Sequence, residues 1–175
     1  MSKNGKKKQP RKSLGLLKCR TAAKGIKMTY KVYGAEETER IGALLAKALK
    51  SGGRRSAYIA MRGEMGVGKT VFTRGFAGTL GIRAVKSPTY TVVNEYRGEG
   101  GSIFHFDMYR IEDALDLSSI GYDDYLYREG YIIVEWSERI PEEIPDDAIT
   151  VTISRLPEDE AARLIEIENI EIDEA

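Results

Sequence analysis

The run Gly63-Glu64-Met65-Gly66-Val67-Gly68-Lys69-Thr70 has the spacing G-x-x-x-x-G-K-[ST]. The chemistry it suits is phosphate recognition. Glycines let backbone N–H groups converge with no Cβ in the way. Those donors, with a helix N-terminus behind them, make a seat for phosphate oxygens. Lys69 adds a point charge that reaches β- and γ-phosphates, and the Thr70 hydroxyl is a candidate Mg²⁺ ligand. The eight residues from Gly63 to Thr70 are therefore the candidate nucleotide-binding loop.

Phosphate binding alone does not make a hydrolase. A further carboxylate must hold the metal, and a polar group must direct water. Two carboxylates qualify. Asp107 ends the apolar run Ile103-Phe104-His105-Phe106, and Glu135 ends Tyr131-Ile132-Ile133-Val134. Both are expected at the carboxyl edge of a sheet, where open α/β folds bind ligands. One would complete a Mg²⁺ shell and the other orient the attacking water; the spacing leaves open which does which. Thr89, in Ser87-Pro88-Thr89-Tyr90-Thr91, falls between the loop helix and the Asp107 run. In other phosphate-loop enzymes that is the place of a switch threonine, and Pro88 restricts the backbone there. His105 reads as a packed, hydrogen-bonded strand residue, and Trp136 as core packing or a partner contact.

The elements that must position these groups can be read around them. Apolar residues at Ile41, Leu44, Leu45, Ala48 and Leu49 predict a helix over Glu36 to Lys50, stopped by Gly52-Gly53. Tyr58 to Met61 predicts a buried strand feeding the glycine-rich loop, and Val71 to Leu80 a helix leaving it. Gly98, Gly100 and Gly101 mark a hairpin before the strand Ser102 to Phe106. Further strands are predicted at Met28 to Tyr33, Tyr131 to Trp136, Ile149 to Ser154 and Leu164 to Ile172. The alternation Ile165, Glu166, Ile167, Glu168 predicts a half-exposed strand, and the acidic end from Pro157 reads as a solvated edge hairpin. The whole is α/β: a P-loop NTPase fold with a mainly parallel sheet, flanking helices and late antiparallel edge strands.

Composition narrows the class. The chain has 175 residues, with 27 basic and 27 acidic side chains. Residues 1–27 hold ten of the basic ones and no acidic one, leaving 17 basic against 27 acidic in residues 28–175. The expected organisation is a basic, disordered tail over 1–27 and one domain over 28–175, with Met28 a candidate initiator. One cysteine, Cys19, excludes a disulfide framework, and one histidine excludes a multi-histidine metal centre. No run approaches 18 apolar residues, so no membrane span is expected. A cytoplasmic location is the default.

Four motifs in one order carry a resemblance beyond the loop itself. They are Gly63 to Thr70, Lys86-Ser87-Pro88-Thr89-Tyr90-Thr91, His105-Phe106-Asp107-Met108-Tyr109-Arg110 and Glu135-Trp136. With Gly121-Tyr122-Asp123-Asp124-Tyr125, they resemble the TsaE (YjeE) family of bacterial P-loop ATPases, from about Thr38 to Trp136. The basic tail departs from the family, whose members usually start near Met28. The resemblance implies ATP and Mg²⁺ as cofactors and weak ATP hydrolysis by the chain alone. It implies action on the two-subunit TsaB–TsaD transferase, which adds threonylcarbamoyl to tRNA adenosine, with tRNA reached only indirectly. ATP turnover would reset that transferase between cycles. It also implies metal and water roles for Asp107 and Glu135, a switch contact for Thr89, and a nucleotide contact for Thr38.

The alternative is a small-molecule or nucleotide kinase using the same loop. The short stretch between Thr70 and Asp107 leaves little room for its substrate domain. A GTPase would need a guanine-reading Asn-Lys-x-Asp, which the chain lacks. An RNA-binding module would sit poorly with an acidic body. Lys69→Ala is predicted to abolish nucleotide binding or turnover, measured by calorimetry and phosphate release. Unchanged ATPase activity in that variant would overturn the assignment of the loop.

Overall fold

The computed structural model describes residues 15–19 and 26–172. Its strands are β1 (Gly15–Cys19), β2 (Lys27–Tyr33), β3 (Ala57–Arg62), β4 (Val93–Gly98), β5 (Gly101–Asp107), β6 (Tyr131–Glu135), β7 (Ile149–Leu156) and β8 (Asp159–Glu168). Among the described residues they form one sheet in the order β1-β2-β8-β7-β3-β6-β5-β4. Helices α1 (Gly34–Ser51) and α2 (Lys69–Thr79) cover one face. The shorter α3 (Ala114–Ser119) and α4 (Tyr122–Leu126) lie on the other. The α/β class and the strand–loop–helix order agree with the sequence.

The parallel part is central: β3 pairs with β6 and β7, and β6 with β5. These strands read as continuous apolar runs because both faces are covered. Ile59, Met61 and Ile133 point to the α1–α2 side, while Tyr58, Ala60, Phe104 and Phe106 point to the α3–α4 side. The Tyr58 and Tyr122 hydroxyls meet at 2.6 Å and tie α4 to the central strand.

The margins differ from expectation. The sheet is mixed rather than mainly parallel, since β1–β2, β2–β8, β7–β8 and β4–β5 pair antiparallel. Nor is β8 an edge strand, because β2 lies outside it. Charge explains part of the choice: Lys27 meets Glu166 at 2.6 Å and Glu168 at 3.5 Å, and Lys31 meets Asp159 at 3.2 Å. The alternation in β8 reflects one covered face. Ile165 and Ile167 are buried in the α1-side core, and Glu166 and Glu168, alternating with them, lie on the more open side.

Within the segment expected to be a basic tail over 1–27, Gly15–Cys19 pairs with β2 as β1. Without it β2 would present a row of open N–H and C=O groups. Residues 1–14 and 20–25 lie outside the described residues. No helix among the described residues is long and apolar enough to cross a membrane.

Two glycines bring α1 and α2 into backbone contact. A Cβ on Gly75 would fall 1.9 Å from the Glu39 carbonyl oxygen, and one on Gly42 would fall 2.1 Å from that of Phe72. Ile41 and Leu45 of α1 and Phe72 and Phe76 of α2 then close over the sheet with no exposure. Gly75→Ala forces the helices apart and is predicted to destabilise the fold by about 1–3 kcal/mol, as overpacking does. Thermal unfolding followed by circular dichroism checks this; an unchanged Tm would contradict the contact.

Candidate active site

The loop leaves β3 at Gly63, whose φ is +131° and whose Cβ would meet the Ile153 carbonyl oxygen at 2.2 Å. Only glycine fits that exit. Gly68, at φ +116°, then turns the chain into α2 as its N-cap. The first N–H groups of a helix have no partner within it, so the loop and the start of α2 aim donors at one place. Lys69, the first residue of α2, is almost fully buried. Its Nζ donates to the carbonyls of Gly63 at 2.6 Å and Glu64 at 2.9 Å, and lies 4.0 Å from the Trp136 ring centroid. Burial holds the ammonium pKa below its ordinary value, against the opposing pull of Glu135, Glu138 and Asp107.

Side chains distant in sequence steady the loop. Glu138 accepts the Gly63 N–H at 3.4 Å. Arg155 on β7 donates to the Met65 carbonyl at 3.3 Å and lies 3.7 Å from the Glu64 carboxylate. The Met65 side chain is itself exposed, so that residue serves the seat through its backbone.

The two carboxylates stand side by side. Asp107 and Glu135 are register partners at the ends of β5 and β6, and both are 4% exposed. Glu135 Oε1 accepts the Thr70 hydroxyl at 2.8 Å and lies 2.9 Å from His105 Nε2. Asp107 Oδ1 accepts the Tyr109 N–H at 3.0 Å, and Oδ2 accepts the Thr89 hydroxyl at 2.7 Å. Ser87 Oγ lies 2.7 Å from Thr89 Oγ1 and 3.5 Å from Asp107 Oδ2. Parallel pairing therefore links Thr70, Glu135, Asp107 and Thr89 across four separate segments. The donor set is a hydroxyl and two carboxylates, hard oxygens that suit Mg²⁺. Among the described residues no three His, Cys, Asp or Glu side chains form a cage. Such a cation would be completed by substrate phosphates and water, as Mg²⁺ usually is.

Thr38 lies on α1 beside the loop. Its hydroxyl donates to the Gly34 carbonyl at 2.9 Å, and its methyl group sits 3.6 Å from where a Gly68 Cβ would be. With Gly34, Gly66, Gly68, Val71 and Arg163 it lines a pocket of about 180 Å³. Its hydroxyl proton is thus engaged by its own helix, and its side chain shapes one wall of the pocket. His105 is packed and hydrogen-bonded as read from the sequence, and its partner is Glu135. Trp136 makes packing contacts within the chain: it lies against Tyr109, with centroids 5.0 Å apart, and carries Lys69 on its face.

Three supports were not singled out from the sequence. Ser87 stood within the Thr89 motif, and Glu138 three residues past Glu135, so both were within reach. Arg155 had no local signal, because its role depends on the β7–β8 hairpin folding back over the loop.

A glycine-rich seat between β3 and α2, with carboxylates at the ends of the neighbouring parallel strands, places the molecule in the P-loop NTPase fold class. A family model described as threonylcarbamoyl adenosine biosynthesis protein TsaE matches residues 32–165, which contain every candidate site residue. The chain belongs to the TsaE family. It is 37% identical over 134 residues to the tRNA threonylcarbamoyladenosine biosynthesis protein TsaE of Bacillus subtilis, covering 76% of this chain and 81% of that protein. For the Treponema pallidum protein of the same name the identity is 32%, covering 68% and 85%. The crystal structure of Bacillus subtilis YdiB superposes with a TM-score of 0.65 at 28% identity, covering 82% of this chain and 85% of that one.

Thr89→Val keeps the shape of the side chain and removes the 2.7 Å donor to Asp107. Nucleotide turnover is expected to fall roughly 10–100-fold, the usual effect of removing a group that orients a metal-binding carboxylate. Steady-state phosphate release checks this, and wild-type turnover in the variant would dissociate Thr89 from the site.

Proposed function

We propose that the chain is a Mg²⁺-dependent ATPase that supports N6-threonylcarbamoyladenosine formation in tRNA. It acts on a TsaB–TsaD type transferase complex and does not itself transfer the carbamoyl group. The observation that carries this reading is the junction of Lys69 and Thr70 at the start of α2 with Asp107 and Glu135 at adjacent strand ends. Membership of the TsaE family supports the pathway.

In this reading the backbone N–H groups of the loop and Lys69 bind the β- and γ-phosphates. Bound Mg²⁺ would neutralise phosphate charge as it develops. Thr70, Asp107 and Glu135 are the residues that would hold it. Either carboxylate, in ionised form, can also take a proton from the attacking water. Thr89 reports on the γ-phosphate side through its bond to Asp107. The pocket beside Thr38 is open to the ribose or base. Burial of Lys69 strengthens its attraction for phosphate, and burial of Asp107 and Glu135 strengthens theirs for the cation, because low dielectric strengthens charge–charge interaction.

The experiment is Mg²⁺-dependent ATP hydrolysis by the full chain, with and without TsaB–TsaD and with no other acceptor. A pull-down of that complex accompanies it, with and without ATP. Hydrolysis and nucleotide-dependent association are expected; a phosphorylated acceptor with turnover tied to it would replace the reading by a kinase. Trp136 is the only tryptophan of the chain and touches Lys69, so its fluorescence should change saturably with Mg-ATP. Asp107→Ala and Glu135→Ala are expected to keep that binding signal while turnover drops on the order of 100-fold or more. Loss of binding with the fold intact would reassign that carboxylate to substrate binding.

A further inference from the structure

His105 is the only histidine of the chain and has no exposed surface. It lies on β5 opposite Ile133 of β6, two residue pairs below Asp107 and Glu135. Its Nε2 reaches diagonally to Glu135 Oε1 at 2.9 Å, and the same oxygen accepts the Thr70 hydroxyl at 2.8 Å. An ionised carboxylate only accepts hydrogen bonds, so a neutral imidazole bonded to one carries its proton on Nε2 and leaves Nδ1 a lone pair. Nδ1 is buried and, among the described residues, has no hydrogen-bond partner. Leaving a buried polar atom unmatched is costly, whereas an apolar side chain could fill the same space without that cost. Packing alone does not explain a histidine here; the bond to Glu135 does.

We propose that His105 is a positioning residue for Glu135, an inference that rests on the ATPase reading of the site. His105 and Thr70 hold Oε1 from two elements, a strand and a helix. Two donors on one oxygen fix the plane of the carboxylate, and Oε2 is the oxygen it presents to the metal or to water. The arrangement survives when Thr70 is engaged elsewhere, because a hydroxyl that gives a lone pair to a cation keeps its proton for Oε1. The strand-borne imidazole is then the part of the grip that does not move with the loop.

The test uses the full chain and three variants. His105→Gln puts an amide N–H near the place of Nε2. His105→Asn puts one near Nδ1, short of Glu135. His105→Phe keeps the bulk and has no donor. For Mg-ATP hydrolysis, kcat is expected to fall roughly 10–100-fold in the Asn and Phe variants. KM for ATP should stay within about twofold, and the Gln variant should recover most of the loss. The single histidine also allows ¹⁵N NMR of the wild-type imidazole without assignment, and the Nε2–H tautomer is expected. Wild-type kcat in the Asn and Phe variants, a Gln variant as slow as Phe, or an Nδ1–H tautomer would each overturn the proposal. Should the Phe variant fail to fold, the Asn–Gln comparison and the wild-type spectrum still decide it. A wild-type chain that hydrolyses no ATP, alone or with TsaB–TsaD, would instead defeat the ATPase reading. Active wild type with indifferent variants defeats only the role of His105.

Discussion

Glu135 is a carboxylate buried at the end of a central strand, and the site is organised around what that burial requires. A buried charge is tolerated only when donors replace the water it has lost. The donors come from different parts of the chain: Thr70 from α2 and His105 from β5. Strand β6 must therefore stand next to β5, and α2 must begin directly above both. Parallel pairing of β3, β6 and β5 meets both conditions. Asp107, delivered in the same register, uses the same solution with Thr89 and the Tyr109 N–H.

This arrangement reconciles an anion-binding role with an acidic body. Residues 28–175 carry ten more acidic than basic side chains, so the surface field does not draw phosphate in. Attraction is local, supplied by peptide dipoles at the head of α2 and by one ammonium held on Trp136. The acidic surface suits a basic partner protein better than a nucleic-acid backbone. Part of the acidic excess is also internal to the sheet, where the lysines of β2 face the carboxylates of β8.

The parts of the site that sequence made legible are those whose chemistry is local. A glycine spacing, a lysine and a threonine at a helix start need no knowledge of the rest of the fold. Asp107 and Glu135 were legible because each ends an apolar run, and such runs end at the same edge of a parallel sheet. Strand order was less accessible. The Ile–Glu alternation of β8 records that one face is covered, and it says nothing about what lies alongside. Whether β8 is an edge depends on β2, more than 130 positions earlier in the chain at Lys27–Glu168. Arg155 escaped for the same reason, since its contact to Met65 exists only once the last hairpin is in place.

The contact between α1 and α2 has a mechanical consequence. At Gly42 and Gly75 backbone meets backbone, with no flexible side chain between the helices to absorb a displacement. The two helices thus form a single lever. Any shift of the phosphate loop that tilts α2 must swing α1 with it, and α1 begins directly after β2. A displacement that begins at the Gly63–Thr70 loop is delivered to the far half of the sheet, at a distance from the loop itself.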